Sequence, residues 1–172
     1  MADSRRGFLK TVTLLLGTAV GAILALPVVR FVVFPARRRT VQGGGDPVPV
    51  ASESAVIDGG PPLRVEVIVP EQVDAWSKQT EVRLGAAWLV RRGGTLRAFT
   101  TTCPHLGCAI DYDDATKSFR CPCHTSEFGL DGKRVSGPAK RDLDPLEVSV
   151  ADGRVKLRYE KFVSDVADRR KA

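Results

Sequence analysis

Cys103-Pro104-His105-Leu106-Gly107-Cys108 and Cys121-Pro122-Cys123-His124-Thr125-Ser126, followed by Gly137-Pro138-Ala139, decide how the rest of this 172-residue chain is read. The first two boxes hold all four cysteines and both histidines of the protein. Apart from Met1, nothing else in the chain offers a sulfur or an imidazole to a metal. The candidate ligands run C-x-H, then fifteen residues, then C-x-x-H, with one further cysteine in each box. Zinc also takes mixed Cys and His ligands. Its ribbons and fingers are usually built from C-x-x-C or H-x-x-x-H pairs, however, and a zinc reading leaves two cysteines without a role. A zinc-bound structural module is therefore the remote alternative.

The full pattern resembles the Rieske iron–sulfur family, and within it the quinol-oxidising branch. That branch has boxes like C-T-H-L-G-C and C-P-C-H-G-S, followed by a G-P-A-P or G-P-P-P loop. The resemblance covers about residues 60 to 160. It implies a mostly β fold, a Rieske-type antiparallel β-sandwich with a cluster-binding subdomain at one end. It also implies a [2Fe–2S] cluster, with Cys103 and Cys121 on one iron and His105 and His124 on the other. Cys108 and Cys123 would form a disulfide between the loops, Ser126 would hydrogen-bond a bridging sulfide, and His124 would meet quinol. Two neutral imidazoles in place of two thiolates remove negative charge from one iron, which raises the potential. An imidazole on oxidised iron gives up its proton more readily, so such a site takes an electron and a proton together. Three positions depart from the pattern. Thr125 stands where Gly is usual, Lys140 where the loop has a second Pro, and Phe128 where high-potential members carry a Tyr.

The net charge of +6 suggests a nucleic-acid or membrane-surface partner until it is located. Residues 1–39 hold seven Lys or Arg and one Asp, and the remaining chain has nineteen basic and nineteen acidic residues. The globular part is neutral, and no nucleic-acid surface follows. Ser4-Arg5-Arg6-Gly7-Phe8-Leu9-Lys10 matches a twin-arginine export signal over residues 1–10. Such a signal carries folded proteins to an oxidising compartment, which suits both an inserted cofactor and a disulfide.

Thr11 to Val29 is uncharged. At ~1.5 Å per residue it extends about 28 Å, close to the hydrocarbon thickness of a bilayer. Ala19-Val20-Gly21 lies inside the run instead of ending it, so residues 11–34 read as an uncleaved single transmembrane helix. Gly17 and Gly21 make a G-x-x-x-G pair that could admit a neighbouring helix. Basic residues flank both ends of the span, and positive-inside counting is indecisive. The export signal sets the orientation: N-terminus cytoplasmic, C-terminal domain on the outer, periplasmic side of a bacterial membrane.

Residues 35–62, with Gly43-Gly44-Gly45, read as a flexible hinge or tether. Residues 63–160 read as the cluster domain with its binding loops at 103–139, and 161–172 as an exposed polar tail. Strand signals run through Leu63–Val69, Trp88–Val90, Leu96–Thr100, Ile110–Tyr112, Ser118–Arg120, Leu146–Val150 and Val155–Tyr159. Pro70–Lys78 is ambiguous between a loop and a short helix.

These features, with the resemblance, imply a membrane-anchored electron-transfer subunit of a cytochrome bc-type quinol–cytochrome c oxidoreductase. Its partners would be a cytochrome b subunit, a cytochrome c-type haem protein, quinol and the membrane, with catalysis belonging to the complex. The alternative is the Rieske small subunit of another exported oxidoreductase such as arsenite oxidase. Such subunits tend to be peripheral, so the anchor and tether favour the first reading. A Rieske oxygenase is excluded, because it needs a mononuclear iron held by further histidines that this chain lacks. Soluble Rieske ferredoxins usually lack the disulfide cysteines and the export signal.

Overall fold

A computed structural model of the chain describes residues 2–37, 45–74 and 76–172. The chain divides into two compact units, one holding the N-terminal helix together with Val73–Lys78 and the other the rest of the β domain. Helix α1 spans Ala2–Val33 and ends in a 3-10 turn, Phe34–Arg37. It starts ahead of the uncharged run, so Arg5, Arg6 and Lys10 lie on it. It is long and apolar enough to cross a membrane. Thr11 and Thr18 donate their hydroxyls to the carbonyls of Gly7 and Leu14, as an apolar surrounding requires. Leu14, Leu15, Ile23 and Phe31 are exposed around the helix.

The β domain is built from two antiparallel sheets. The larger has six strands: β1 Val48–Ser52, β2 Leu63–Val73, β3 Lys78–Arg92, β4 Thr95–Thr100, β9 Pro145–Ala151 and β10 Arg154–Arg158. Their order is β1-β10-β9-β4-β3-β2. The smaller runs in chain order through β5 Asp111–Asp113, β6 Ser118–Arg120, β7 Glu127–Phe128 and β8 Arg134–Ser136. Its first two strands, β5 and β6, lie in the chain between the first and second boxes.

Two cores result, and β3 with β4 forms a wall shared between them. Successive side chains on a strand face opposite ways. Ala87, Leu89 and Ala98 therefore enter one core with Val67, Val155 and Leu157. Trp88, Val90 and Phe99 enter the other with Ile110, Phe119, Phe128, Cys103 and Cys121. The contiguous apolar run of β3 is thus buried on both faces. Each long hairpin closes on two residues of positive φ: Gly93 and Gly94 (+56° and +76°), and Asp152 and Gly153 (+56° and +67°). This matches the turn whose twist suits paired strands.

Two expectations differ from the structure. The tether range reaches into folded chain, because β1 pairs with β10 at the sheet edge and Val48 and Val56 are buried. The V-x-V alternation of Val48 and Val50 is the local signal for it. Gly43 and Gly44 lie outside the described residues. Among the described residues of Pro70–Lys78 there is strand where a loop or a short helix is expected: β2 continues to Val73, and the Asp74 carboxylate accepts the Trp76 N–H at 2.8 Å before β3 begins. The C-terminal tail is exposed along much of its length, yet hydrogen bonds from its backbone and to its carbonyls hold it in place.

Candidate metal centre

The two boxes fold as the same loop. In the first, Cys103 N–H donates to Cys108 O (2.7 Å) and Gly107 N–H to Cys103 O (3.0 Å). In the second, Cys121 N–H donates to Ser126 O (2.9 Å) and Thr125 N–H to Cys121 O (3.2 Å). The fifth residue of each box takes positive φ, +83° at Gly107 and +60° at Thr125. Thr125 is thus the positional counterpart of Gly107, and neither box by itself reveals the correspondence.

This geometry sorts the candidate ligands by depth. Cys103 and Cys121 are buried and free, inside the second core. His124 is exposed and His105 half-buried, with their ring centroids 4.8 Å apart and nearly perpendicular. The Sγ atoms of Cys108, Cys121 and Cys123 lie within 4.8 Å of one another. Cys108 and Cys123 are joined in a disulfide, so that trio cannot serve as a ligand set. The four remaining donors are Cys103, His105, Cys121 and His124.

Burial pushes the Cys103 thiol up to about 11, opposed by the His105 backbone N–H, with Cys121 beside it adding to the rise and the Ser126 hydroxyl opposing it. Such a thiol stays neutral at physiological pH unless a cation stabilises the thiolate. His105 Nδ1 is buried without a hydrogen-bond partner, an arrangement native structures rarely tolerate. Two buried thiols beside an orphaned imidazole nitrogen fit a metal-bound group with mixed S and N ligation.

The third loop closes over the second box. A Cβ on Gly137 (φ +88°) would lie 2.4 Å from Ser126 Cα, so only glycine permits this backbone approach. Ser126 is fully buried, and its Oγ accepts the Ala139 N–H at 3.1 Å. Beneath the loops, Trp88 Nε1 donates to Ile110 O at 3.3 Å, tying the shared wall to the end of the first box.

Known proteins share this construction. The Rieske [2Fe-2S] domain matches residues 63–150, just over half of the chain. This chain belongs to the Rieske [2Fe–2S] family. One Rieske relative is the cytochrome b6-f complex iron–sulfur subunit of Chlorobaculum tepidum, 31% identical over 151 residues, covering 88% of this chain and 73% of that one. Another is the menaquinol:cytochrome c reductase iron–sulfur subunit of Bacillus subtilis, 34% identical over 154 residues, covering 87% and 88%. Among solved structures, the quaternary ammonium Rieske monooxygenase CntA shares the fold at a TM-score of 0.51 and 21% identity, over 69% of this chain and 34% of that one. The Rieske cofactor is a [2Fe–2S] cluster, and this Rieske domain follows a helix able to anchor it in a membrane.

Sequence reasoning missed residues around the site as well. Arg141 and Arg169 both pair with Asp144, and Asp165 pairs with Lys140, beside the loops. The Asp165 carboxyl is held below the usual range by the hydrogen bond and charge of Lys140, with a smaller contribution from His105. Arg141 and Asp144 follow directly on the third loop, whereas only the chain reversal after β10 brings Asp165 and Arg169 beside them, and no local spacing announces it.

Proposed function

We propose that the chain is the Rieske subunit of a cytochrome bc-type complex, taking an electron from quinol and passing it to a cytochrome c-type haem. In this reading Cys103 and Cys121 hold one iron, and His105 and His124 the other. The observation that carries it is the pair of matched loops, with two thiols in the core, the half-buried His105 holding its Nδ1 inside and His124 exposed at the rim. The names of the relatives from Chlorobaculum tepidum and Bacillus subtilis support the complex, and the second favours menaquinol as the donor.

When bound, the cluster supplies a one-electron carrier whose potential the two imidazoles raise. The chain's own residues supply the rest. His105 offers the unpartnered Nδ1 inward. His124, on the exposed rim, presents its free ring nitrogen to a quinol hydroxyl and receives the proton there. The buried cysteines and the second core exclude water from the inner side. Ser126 fixes the second loop through the Ala139 N–H.

Helix α1 anchors the subunit, its N-terminal Arg pair acts as the export signal, and the β domain lies on the periplasmic side next to cytochrome b. Catalysis is completed by the complex, because a quinol pocket needs a second wall.

Purification in detergent is the test. Two irons and two sulfides per chain, a rhombic EPR signal on reduction and co-purifying haem b are the expected outcome. Stoichiometric zinc without sulfide would refute the ligand reading. An intact cluster accompanied by a molybdenum enzyme instead of haem b would refute the complex.

A further inference from the structure

After β10 the chain turns back and closes on itself. Val163 N–H donates to Arg170 O and Ala172 N–H to Lys161 O, both at 2.9 Å, and Phe162 bridges to Lys171. The tip of this closure reaches the first box, where Asp165 N–H donates to Pro104 O at 2.9 Å. Ser164 Oγ sits beside Gly107, 3.8 Å from where a Cβ there would lie. Pro104 is buried between Cys103 and His105, so the tail grips the box between two candidate ligands.

The same tip grips the third loop. Arg141, almost wholly buried, forks onto Asp144 at 2.9 and 2.7 Å. Two of its other three N–H groups donate to Val163 O (2.8 Å) and Val166 O (2.7 Å). Arg169 adds a second cation on Asp144 at 3.0 Å. Lys140 reaches both the Asp165 carboxylate (2.9 Å) and its carbonyl (3.0 Å). A buried guanidinium must find partners for its donors, so Arg141 requires the tail to be in place.

We propose that the C-terminal segment 159–172 is a clamp on the His105 side of the centre, and that Asp165 and Lys140 are positioning residues whose opposite charges tune its redox potential. The proposal rests on the ligand assignment above and extends it to residues no ligand motif contains. Lys140 occupies the position where the resembled loop carries a second proline, which has no ammonium to give.

The signs are fixed by electrostatics. Reduction adds one negative charge to the centre, so a nearby carboxylate opposes it and a nearby ammonium favours it. Both side chains are half exposed, and solvent screening keeps each effect modest. Removing either charge should change the one-electron equilibrium about threefold, which is about 30 mV at ~59 mV per tenfold.

The experiment uses the full chain in detergent, with Asp165→Asn, Lys140→Met and the double variant. Voltammetry and amide hydrogen exchange are recorded on each after EPR confirms the cluster. The expected result is a higher potential for Asp165→Asn, a lower one for Lys140→Met and a near-native one for the double variant. Faster exchange in the first box of both single variants should accompany it. A merely structural role would move both potentials the same way or not at all, and either result overturns the proposal. Absence of a cluster from the wild-type chain would instead overturn the ligand assignment on which it rests.

Discussion

Thr125 holds φ at +60° in the position that Gly107 fills in the matching loop. A left-handed conformation costs an L-residue roughly 1–2 kcal/mol, and a β-branched residue sits at the upper end. Glycine would relieve that strain but adds about 0.5–1 kcal/mol of unfolded-chain entropy. Relief wins by a small margin, so Thr125→Gly should stabilise the β domain by about 0.5–1 kcal/mol. The check is a rise in denaturant midpoint at constant slope. A fall would mean that the 2.7 Å hydrogen bond from Thr125 Oγ1 to His124 O outweighs the strain. Phe128 poses a redox question instead. It is fully buried in the core that holds Cys103 and Cys121, where the resembled high-potential proteins carry a tyrosine. A hydrogen bond to a charged group is worth roughly 1.5–3 kcal/mol. If it acted on the reduced state alone, that is on the order of 60–130 mV for one electron. It acts partly on both states, so Phe128→Tyr should raise the potential by about the lower figure. No rise by voltammetry, in a variant whose hydroxyl sits within bonding distance of a ligand sulfur, would refute the idea.

At the scale of elements, three loops and a tail hold one another. The disulfide joins the first two boxes across a sequence separation of 15. Closing a loop of that length contributes about 3 kcal/mol in the chain-entropy model. Gly137 fixes the third loop on the second box, and the tail fixes the first. Because those contacts survive its removal, Cys108→Ser should assemble the cluster but lose it at lower temperature. The visible spectrum followed during heating measures this. Free thiols at Cys108 and Cys123 in exported protein, seen by mass spectrometry, would remove the basis for the prediction. The ligand boxes are legible in the sequence because metal chemistry demands particular residue types at short spacing. The clamp is not, because its partners are ordinary charges and carbonyls, 25 residues apart in sequence: Arg141 with Val166, and Lys140 with Asp165.

For the whole molecule, the helix and the β domain have separate physical requirements. Among the described residues, both cores are made without any residue of α1. A chain beginning at Gly45 should therefore leave the membrane fraction yet keep the reduced EPR signal of the full protein. Loss of that signal on truncation would show that the domain needs its anchor to fold. The apolar run, the two boxes and the Gly-Gly and Asp-Gly turns were decided by the sequence itself. Each depends on local rules: bilayer thickness, ligand chemistry and positive φ. Tertiary structure alone decided three other matters. It extended the folded domain back to Val48, because an edge strand needs β10 beside it before its alternation means anything. It buried β3 on both faces by placing a core on each side. It also turned a polar tail into a clamp, because a charged segment is held only where buried partners such as Arg141 and Asp144 await it, and such partners are assembled by the fold.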